Sequence, residues 1–235
     1  MKIKFATEIL RRLGEELNPS LDKGILELVK NAYDADAVNC VIELESPDQT
    51  GGSVRVVDDG DGMTPDEIEN GWLVLGRSTK DQRKRTRLNR IPAGSKGLGR
   101  LAALRMGTRA LLTTRPKAEK HSEYNLLIDW DQYANAELVE DVDIELEESK
   151  REPGTEHGTT IQIENLRERI GRRQVKRLAR ELVLLANPFD ADPTGFKPVL
   201  KAPEYKDLET LVKRRYFRDA DYHLVARVDD KGISG

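Results

Sequence analysis

Three short stretches of the chain combine residue types and spacings that could do chemistry. The first is Glu27-x-x-x-Asn31-x-x-Asp34-Ala35. Spacings of four and three put all three polar side chains on one side of a helix. That helix also carries an apolar face, and polar groups beside Leu28 and Ala32 cost stability unless they find partners. Magnesium takes hard oxygen ligands such as an Asn carbonyl, and a carboxylate one turn away can orient and deprotonate a water. An ordinary amphipathic helix with a polar edge has the same pattern. The second stretch is Val56-Val57-Asp58-Asp59-Gly60-Asp61-Gly62-Met63, a strand running into Asp-x-Gly-x-Gly. An Asp at a strand end can accept hydrogen bonds from an exocyclic amine, which an adenine ring offers. Glycines at the following alternate positions let backbone approach a flat base closely. A plain Asp-Gly turn reads the same way. The third is Gly94-Ser95-Lys96-Gly97-Leu98-Gly99, ahead of a helix from about Arg100. Backbone N–H groups freed by glycine at a helix start bind anions, and Lys96 adds a charge for phosphate oxygens. The run does not follow a strand directly and lacks a Gly-Lys-Ser/Thr ending, so it is neither a dinucleotide fingerprint nor a P-loop.

The elements that must position these residues are legible in outline. Phe5, Ile9, Leu10, Leu13 and Leu17 have helical spacing. Asn18-Pro19-Ser20 breaks that helix, and Ser20 is the expected N-cap of the next. In that second helix Ile25, Leu28, Val29 and Ala32 form one apolar face, with an end expected near Ala37. Strands are expected over 38–45, 53–57, 108–114, 123–129, 141–147 and 159–164, with a short helix and turn in 64–76. A helix over 169–186 buries Val175, Leu178, Leu182 and Leu185. Stretch 77–92 is nearly devoid of apolar residues and is expected to be a long mobile loop. This order of elements predicts an α+β two-layer sandwich with a mixed, mainly antiparallel sheet, not a doubly wound parallel one. The character shifts after Pro188. Strands at 196–200 and 223–228 flanking a helix near 207–215 are expected to start a second module that continues past Gly235.

With 37% hydrophobic and 34% charged residues and a mean hydropathy of −0.62, the chain has a globular profile with enough Leu, Ile and Val for a core. No stretch approaches the ~18 apolar residues of a membrane span, so no membrane partner and a cytoplasmic location are expected. Cys40 is the only cysteine, which excludes an intrachain disulfide and a thiolate metal centre. The net charge of −3 is unevenly spread: Arg77, Lys80, Arg83, Lys84, Arg85, Arg87 and Arg90 form one basic block, Glu137 to Glu148 is acidic, and Arg167 to Arg180 is basic again. Charge runs of this kind usually form solvated faces.

Taken in order, the stretches resemble the motifs of the GHKL superfamily of gyrase B, heat-shock chaperones, sensor histidine kinases and MutL, with MORC ATPases close by. Glu27-Leu28-Val29-Lys30-Asn31-Ala32-Tyr33-Asp34-Ala35 is similar to the first motif and Asp58-Asp59-Gly60-Asp61-Gly62-Met63 to the second. Residues 94–99 are similar to the third, and Gly158-Thr159-Thr160-Ile161 to the fourth, over a span of about 20–165. The resemblance implies the Bergerat sandwich fold, ATP and Mg2+ as ligands, and the domain division 1–187 and 188–235. It implies Glu27 as general base, Asn31 as magnesium ligand, and Asp58 as acceptor of the adenine amine with Thr159 in support. Gly60, Gly62 and Met63 would shape the base pocket. Gly94, Gly97, Leu98 and Gly99 would wrap the phosphates beside Lys96. Asp34 would hold the helix end or reach the pocket through water, and Ser78, Thr79 and Lys80 would be polar lid residues. The basic block falls in the lid, where its charge could meet phosphates, a partner subunit or nucleic acid.

Within the superfamily, sensor kinases fit least. His121, His157 and His223 all follow the Asn-bearing helix, and Glu27 favours hydrolysis over transfer to protein. Several members carry a γ-phosphate lysine in a second module, but nothing selects among Lys197, Lys201, Lys206 and Lys213. Asn-Ala-Tyr-Asp-Ala with Asp-Asp-Gly-x-Gly-Met looks closest to MORC-like and MutL-like members. The expected activity is therefore an ATPase that pairs two copies as a clamp on DNA. A chaperone-like ATPase and a non-hydrolysing ATP sensor remain alternatives.

Overall fold

A computed structural model describes residues 4–10, 12, 20–74, 85–94, 103–186, 195–213, 227–229 and 232–234. Its centre is a seven-stranded sheet of order β5-β4-β3-β6-β2-β1-β7. The strands are β1 (Asn39–Glu45), β2 (Ser53–Asp58), β3 (Gly107–Arg115), β4 (Ser122–Asp129), β5 (Leu146–Lys150), β6 (Gly158–Leu166) and β7 (Lys197–Lys201). Every adjacent pair is antiparallel except β1 with β7, so the sheet is mixed and mainly antiparallel, as the pattern predicts. A separate hairpin joins β8 (Arg227–Asp229) to β9 (Gly232–Ser234).

One face of the sheet is apolar and the other charged, because side chains alternate along each strand. Cys40, Ile42, Leu44, Val54, Val56, Ala110, Leu112, Leu126, Ile128, Ile161, Ile163 and Leu200 are buried on the first face. On the other, Glu43 pairs with both Arg55 and Lys201, Arg109 with Glu164, and Arg115 with Glu123. The helices cover only the apolar face, which makes two layers. α1 (Leu21–Asp34) buries Ile25, Leu28, Val29 and Ala32, the face read from its spacing. It ends at Asp34, three residues before the expected Ala37, and Ser20 holds the N-cap backbone position without a side-chain cap bond. α4 (Arg172–Leu185) packs beside α1, and Arg177 clamps the buried Asp22 of α1 through two bonds of 2.7 and 2.6 Å. Between them come α2 (Pro65–Glu67), whose Thr64–Glu67 capping box leads into a single π turn, Ile68–Trp72, and α3 (Trp130–Asn135), which the sequence reading did not foresee.

Two further differences have local causes. The strand expected over 141–147 begins only at Leu146, opposite Leu126. Before it, residues 136–139 pair with the N-terminal segment: Thr7 N–H donates to the Glu137 carbonyl and Val139 N–H to that of Phe5. For the same reason Phe5 is extended and 52% exposed, and helix begins only at Glu8. Residues 197–201, expected to open a second module, form β7 and lie parallel to β1 in this sheet, with α5 (Lys206–Lys213) against α4. The seven-stranded sheet thus takes its β7 edge strand from beyond residue 188.

Candidate functional site

The site is built from the backbone register of three strands. Asp58, the last residue of β2, lies opposite Thr159 of β6, and Thr159 lies opposite Thr114 of β3. Cross-strand partners share a face, so all three side chains form a row on the helix-covered side. Thr114 and Thr159 are buried with their hydroxyls 3.3 Å apart, and Thr114 Oγ1 accepts Met63 N–H at 2.9 Å. Asp58 Oδ1 accepts N–H bonds from Gly60 at 2.8 Å and from Thr159 at 3.3 Å, while Oδ2 accepts none among the described residues. Burial pushes the Asp58 carboxyl up to about 7; those two bonds pull it down, and neighbouring Asp59 adds to the rise. On the far side of Asp58 its β1 partner is the buried Cys40, whose thiol burial raises well above its usual range.

The two glycines after Asp58 are sterically required. A Cβ at Gly60 would lie 2.8 Å from the Ala35 carbonyl oxygen and 2.9 Å from Asp58 Oδ1. Gly62 has φ +67°, and its Cβ would fall 2.2 Å from the Arg115 carbonyl oxygen. The loop is stitched at both ends: Asp61 N–H donates to Ala35 and Lys117 N–H to the Asp61 carbonyl. The three acids of this motif therefore divide their work. Asp59 is structural, taking N–H bonds from Val38 and Asn39 and a side-chain bond from Asn39. Asp61 pairs with Arg87 at 2.9 Å and Lys117 at 3.5 Å; burial alone would raise its carboxyl, but these cations hold it below its usual range. Asp58 is the one of the three in the row with Thr159 and Thr114, and its Oδ2 has no described partner there.

The opposite wall comes from α1. Glu27, Asn31 and Asp34 are half-buried along one side of the helix, as their spacing requires. Glu27 Oε1 accepts from Lys30 Nζ at 2.8 Å, and Oε2 accepts nothing among the described residues. Asp34 receives Ala93 N–H on one oxygen at 2.7 Å and Gly94 N–H on the other at 3.0 Å. It thus fixes the first residue of the glycine run to the end of α1. Ser78, Thr79, Lys80, Lys96, Gly97, Leu98 and Gly99 lie outside the described residues. Stretch 77–92, expected to be mobile, is held in its described part, 85–92, by Arg87, by Leu88 N–H on Asp36 and by the buried Arg90. Thr114, Arg87 and Arg90 were not singled out as site residues from the sequence; Thr114 is found only once the β3–β6 register is known.

A family model described as "Histidine kinase-, DNA gyrase B-, and HSP90-like ATPase" matches residues 19–159, more than half of the chain. The chain belongs to this family. All four motifs and the three-strand row lie within or at the edge of the matched span. Two curated proteins are also similar. One is a putative type II restriction enzyme, HgiDII, of Herpetosiphon aurantiacus, 29% identical over 101 residues, or 43% of this chain and 16% of that protein. The other is the DNA mismatch repair protein MutL of Clostridium botulinum, 45% identical over 51 residues, or 21% of this chain and 7% of that protein. The matches thus span less than a fifth of either relative. Among the described residues no helix is long and apolar enough to cross a membrane.

Proposed function

We propose that the chain binds ATP with magnesium and hydrolyses it slowly, and that this cycle governs the pairing of two copies acting on DNA. The observation that carries the nucleotide reading is Asp58 Oδ2, left open at the end of a buried polar row whose other members are already paired. An adenine exocyclic amine donates into that oxygen, and Gly60 and Gly62 give the ring an approach that any side chain would block. Thr159 and Thr114 hold the carboxylate and Met63 in place.

No cluster of three His, Cys, Asp or Glu side chains exists among the described residues, so the donor set does not suit a metal caged by protein alone. One Asn carbonyl oxygen suits a magnesium ion carried in on phosphates, since that ion keeps water and phosphate as most of its ligands. Asn31 would hold it, and its charge would offset that of the phosphates. Glu27, one turn away, takes the proton of a water as that water's oxygen bonds to the γ-phosphorus. The bond from phosphorus to the bridging oxygen breaks, and ADP and phosphate leave. Asp34 fixes Gly94, the first residue of the glycine run that would meet the phosphates, to the end of α1.

The test is phosphate release by wild type and Glu27→Ala, with nucleotide binding followed separately. Turnover by wild type, and binding without turnover by the variant, supports the base assignment; loss of a positioned general base typically costs about 10²–10⁴-fold. A second reading, a non-hydrolysing sensor, draws on Lys30, whose Nζ occupies Glu27 Oε1 at 2.8 Å. It requires that wild type bind ATP and not turn over. The DNA reading draws on what the two relatives are called, a restriction enzyme and a DNA mismatch repair protein. It requires DNA binding that weakens steeply as salt rises, and that weakens further when Arg83, Lys84, Arg85 and Arg87 are neutralised.

A further inference from the structure

The segment that leads into the glycine run is docked on the C-terminal end of α1 by an unusual group, a buried cation. Residues 86–90 first close on themselves: Thr86 N–H donates to the Arg90 carbonyl, Arg90 N–H to Thr86 Oγ1, and Asn89 turns at φ +62°. Arg90 then points inward, 9% exposed, and its Nη1 donates to the carbonyls of Tyr33 at 3.1 Å and Ala37 at 2.7 Å. Its guanidinium lies 4.8 Å from the Tyr33 ring centroid and 5.7 Å from that of Phe196, and the two rings meet edge to face. A cation at a helix C-terminus is favoured by the helix dipole, and a guanidinium over ring faces by their quadrupoles. The two ends of this box lead to different places. Three and four residues after Arg90, Ala93 and Gly94 are tied to Asp34, next to Tyr33. Phe196 immediately precedes β7, whose first residue, Lys197, donates its N–H to the Val38 carbonyl, one residue beyond Ala37.

We propose that Arg90 is a positioning residue that sets the phosphate end of the nucleotide site and couples it to the docking of β7, through Tyr33 and Phe196. This rests on the ATP-binding reading above. The contacts described for Arg90 are with Tyr33, Ala37, Thr86 and Phe196, and none of these is Asp58, Gly60, Gly62, Thr114 or Thr159. Its loss therefore acts on phosphate recognition and leaves base recognition alone, a division that general loosening of the fold would not produce.

The experiment measures the affinities of the full chain for ATP and for adenosine, and amide exchange at Lys197, in wild type, Arg90→Gln and Phe196→Leu. Arg90→Gln weakens ATP about tenfold, the worth of one charge-assisted hydrogen bond, and leaves adenosine unchanged. Phe196→Leu, which keeps apolar bulk and removes the ring, shifts the ATP-to-adenosine ratio the same way by a smaller factor. In wild type ATP slows exchange at Lys197, and in Arg90→Gln that slowing is lost. Equal losses for ATP and adenosine, or a wild-type ratio in Phe196→Leu, overturn the proposal. Should Arg90→Gln fail to fold, Phe196→Leu decides alone. Failure of wild type to bind either ligand instead overturns the ATP-binding reading itself.

Discussion

The base-facing and helix-facing walls of the site are held by different means. On the base side Asp58, Thr159 and Thr114 owe their alignment to the β2–β6–β3 ladder, and the following glycines are wedged against the Ala35 and Arg115 carbonyls. On the α1 side the parts come from separate segments and meet through side chains: Asp34 on Ala93 and Gly94, Asp36 on Leu88, Arg90 on Tyr33 and Ala37. Backbone ladders form cooperatively with the sheet, whereas each side-chain tether can be lost singly. The base wall is therefore preformed, and the phosphate wall is where binding can be adjusted without unmaking the core.

The most severe way to break this contrast is at Gly62. Gly62→Ala combines a left-handed φ with a Cβ at 2.2 Å from backbone, which no rotamer relieves. A loss of about 3 kcal/mol of stability is expected, seen as a large fall in the thermal midpoint together with loss of nucleotide binding. A near-wild-type midpoint would mean the base wall yields as readily as the other. Next in size is Asp58→Asn. Its carbonyl still accepts from Gly60 and Thr159, but under the proposed base contact its amide would face the adenine amine, donor against donor. ATP affinity falls roughly 30- to 100-fold while the fold is retained.

The same contrast explains what could be read from the sequence. The α1 face, the strands near 38–45, 53–57, 108–114, 123–129 and 159–164, and the α4 face all carry apolar periodicity, and the structure places them within a few residues of expectation. Asp58 and Thr159 were legible as motif residues. Thr114 was not, because one Thr within Thr113-Thr114 gains meaning only from its strand partner. Position 141–147 shows the converse: alternation of Val142, Ile144 and Leu146 marks partial burial, yet strand pairing starts only at Leu146, opposite Leu126. The basic block illustrates a third limit. Arg85, Arg87 and Arg90 read as like charges in a row, but one bonds the Asn89 carbonyl, one pairs with Asp61, and one is buried on carbonyls and rings. Charge along a chain does not reveal which cations are consumed by the fold.

pH sharpens the comparison by acting on one wall. The Asp58 carboxyl titrates near 7 in the folded protein against an ordinary value of 3.8. The folded state keeps a proton that the unfolded chain has already lost, so this group's contribution to stability is complete below 3.8 and gone once pH has passed about 7. Unliganded protein should therefore lose stability between about pH 4 and 7 in a way that Asp58→Asn abolishes. Under the proposed base contact adenine binding runs the opposite way, since the ionised carboxylate is the stronger acceptor for its amine. The ionised fraction rises from about a tenth at pH 6 to about nine-tenths at pH 8, so affinity rises roughly tenfold. Adenosine, whose charge is constant over this range, is the ligand to use. A flat profile in wild type would remove Asp58 from the base contact.

The smallest expected effect is at the one described ion pair that joins the two walls, Arg87 with Asp61. The guanidinium is half-exposed, and pairs of that kind contribute about 0–1 kcal/mol. Asp61 does not depend on it for position, because its N–H is bonded to Ala35 and its carbonyl to Lys117. Arg87→Gln should lower the thermal midpoint only slightly, and the difference should shrink further at high salt, where exposed charges are screened. Adenosine affinity should not change. If Arg87→Gln instead cost as much as Gly62→Ala, or weakened adenosine, the base wall would depend on the segment beyond it, and the two walls would have to be treated as a single unit.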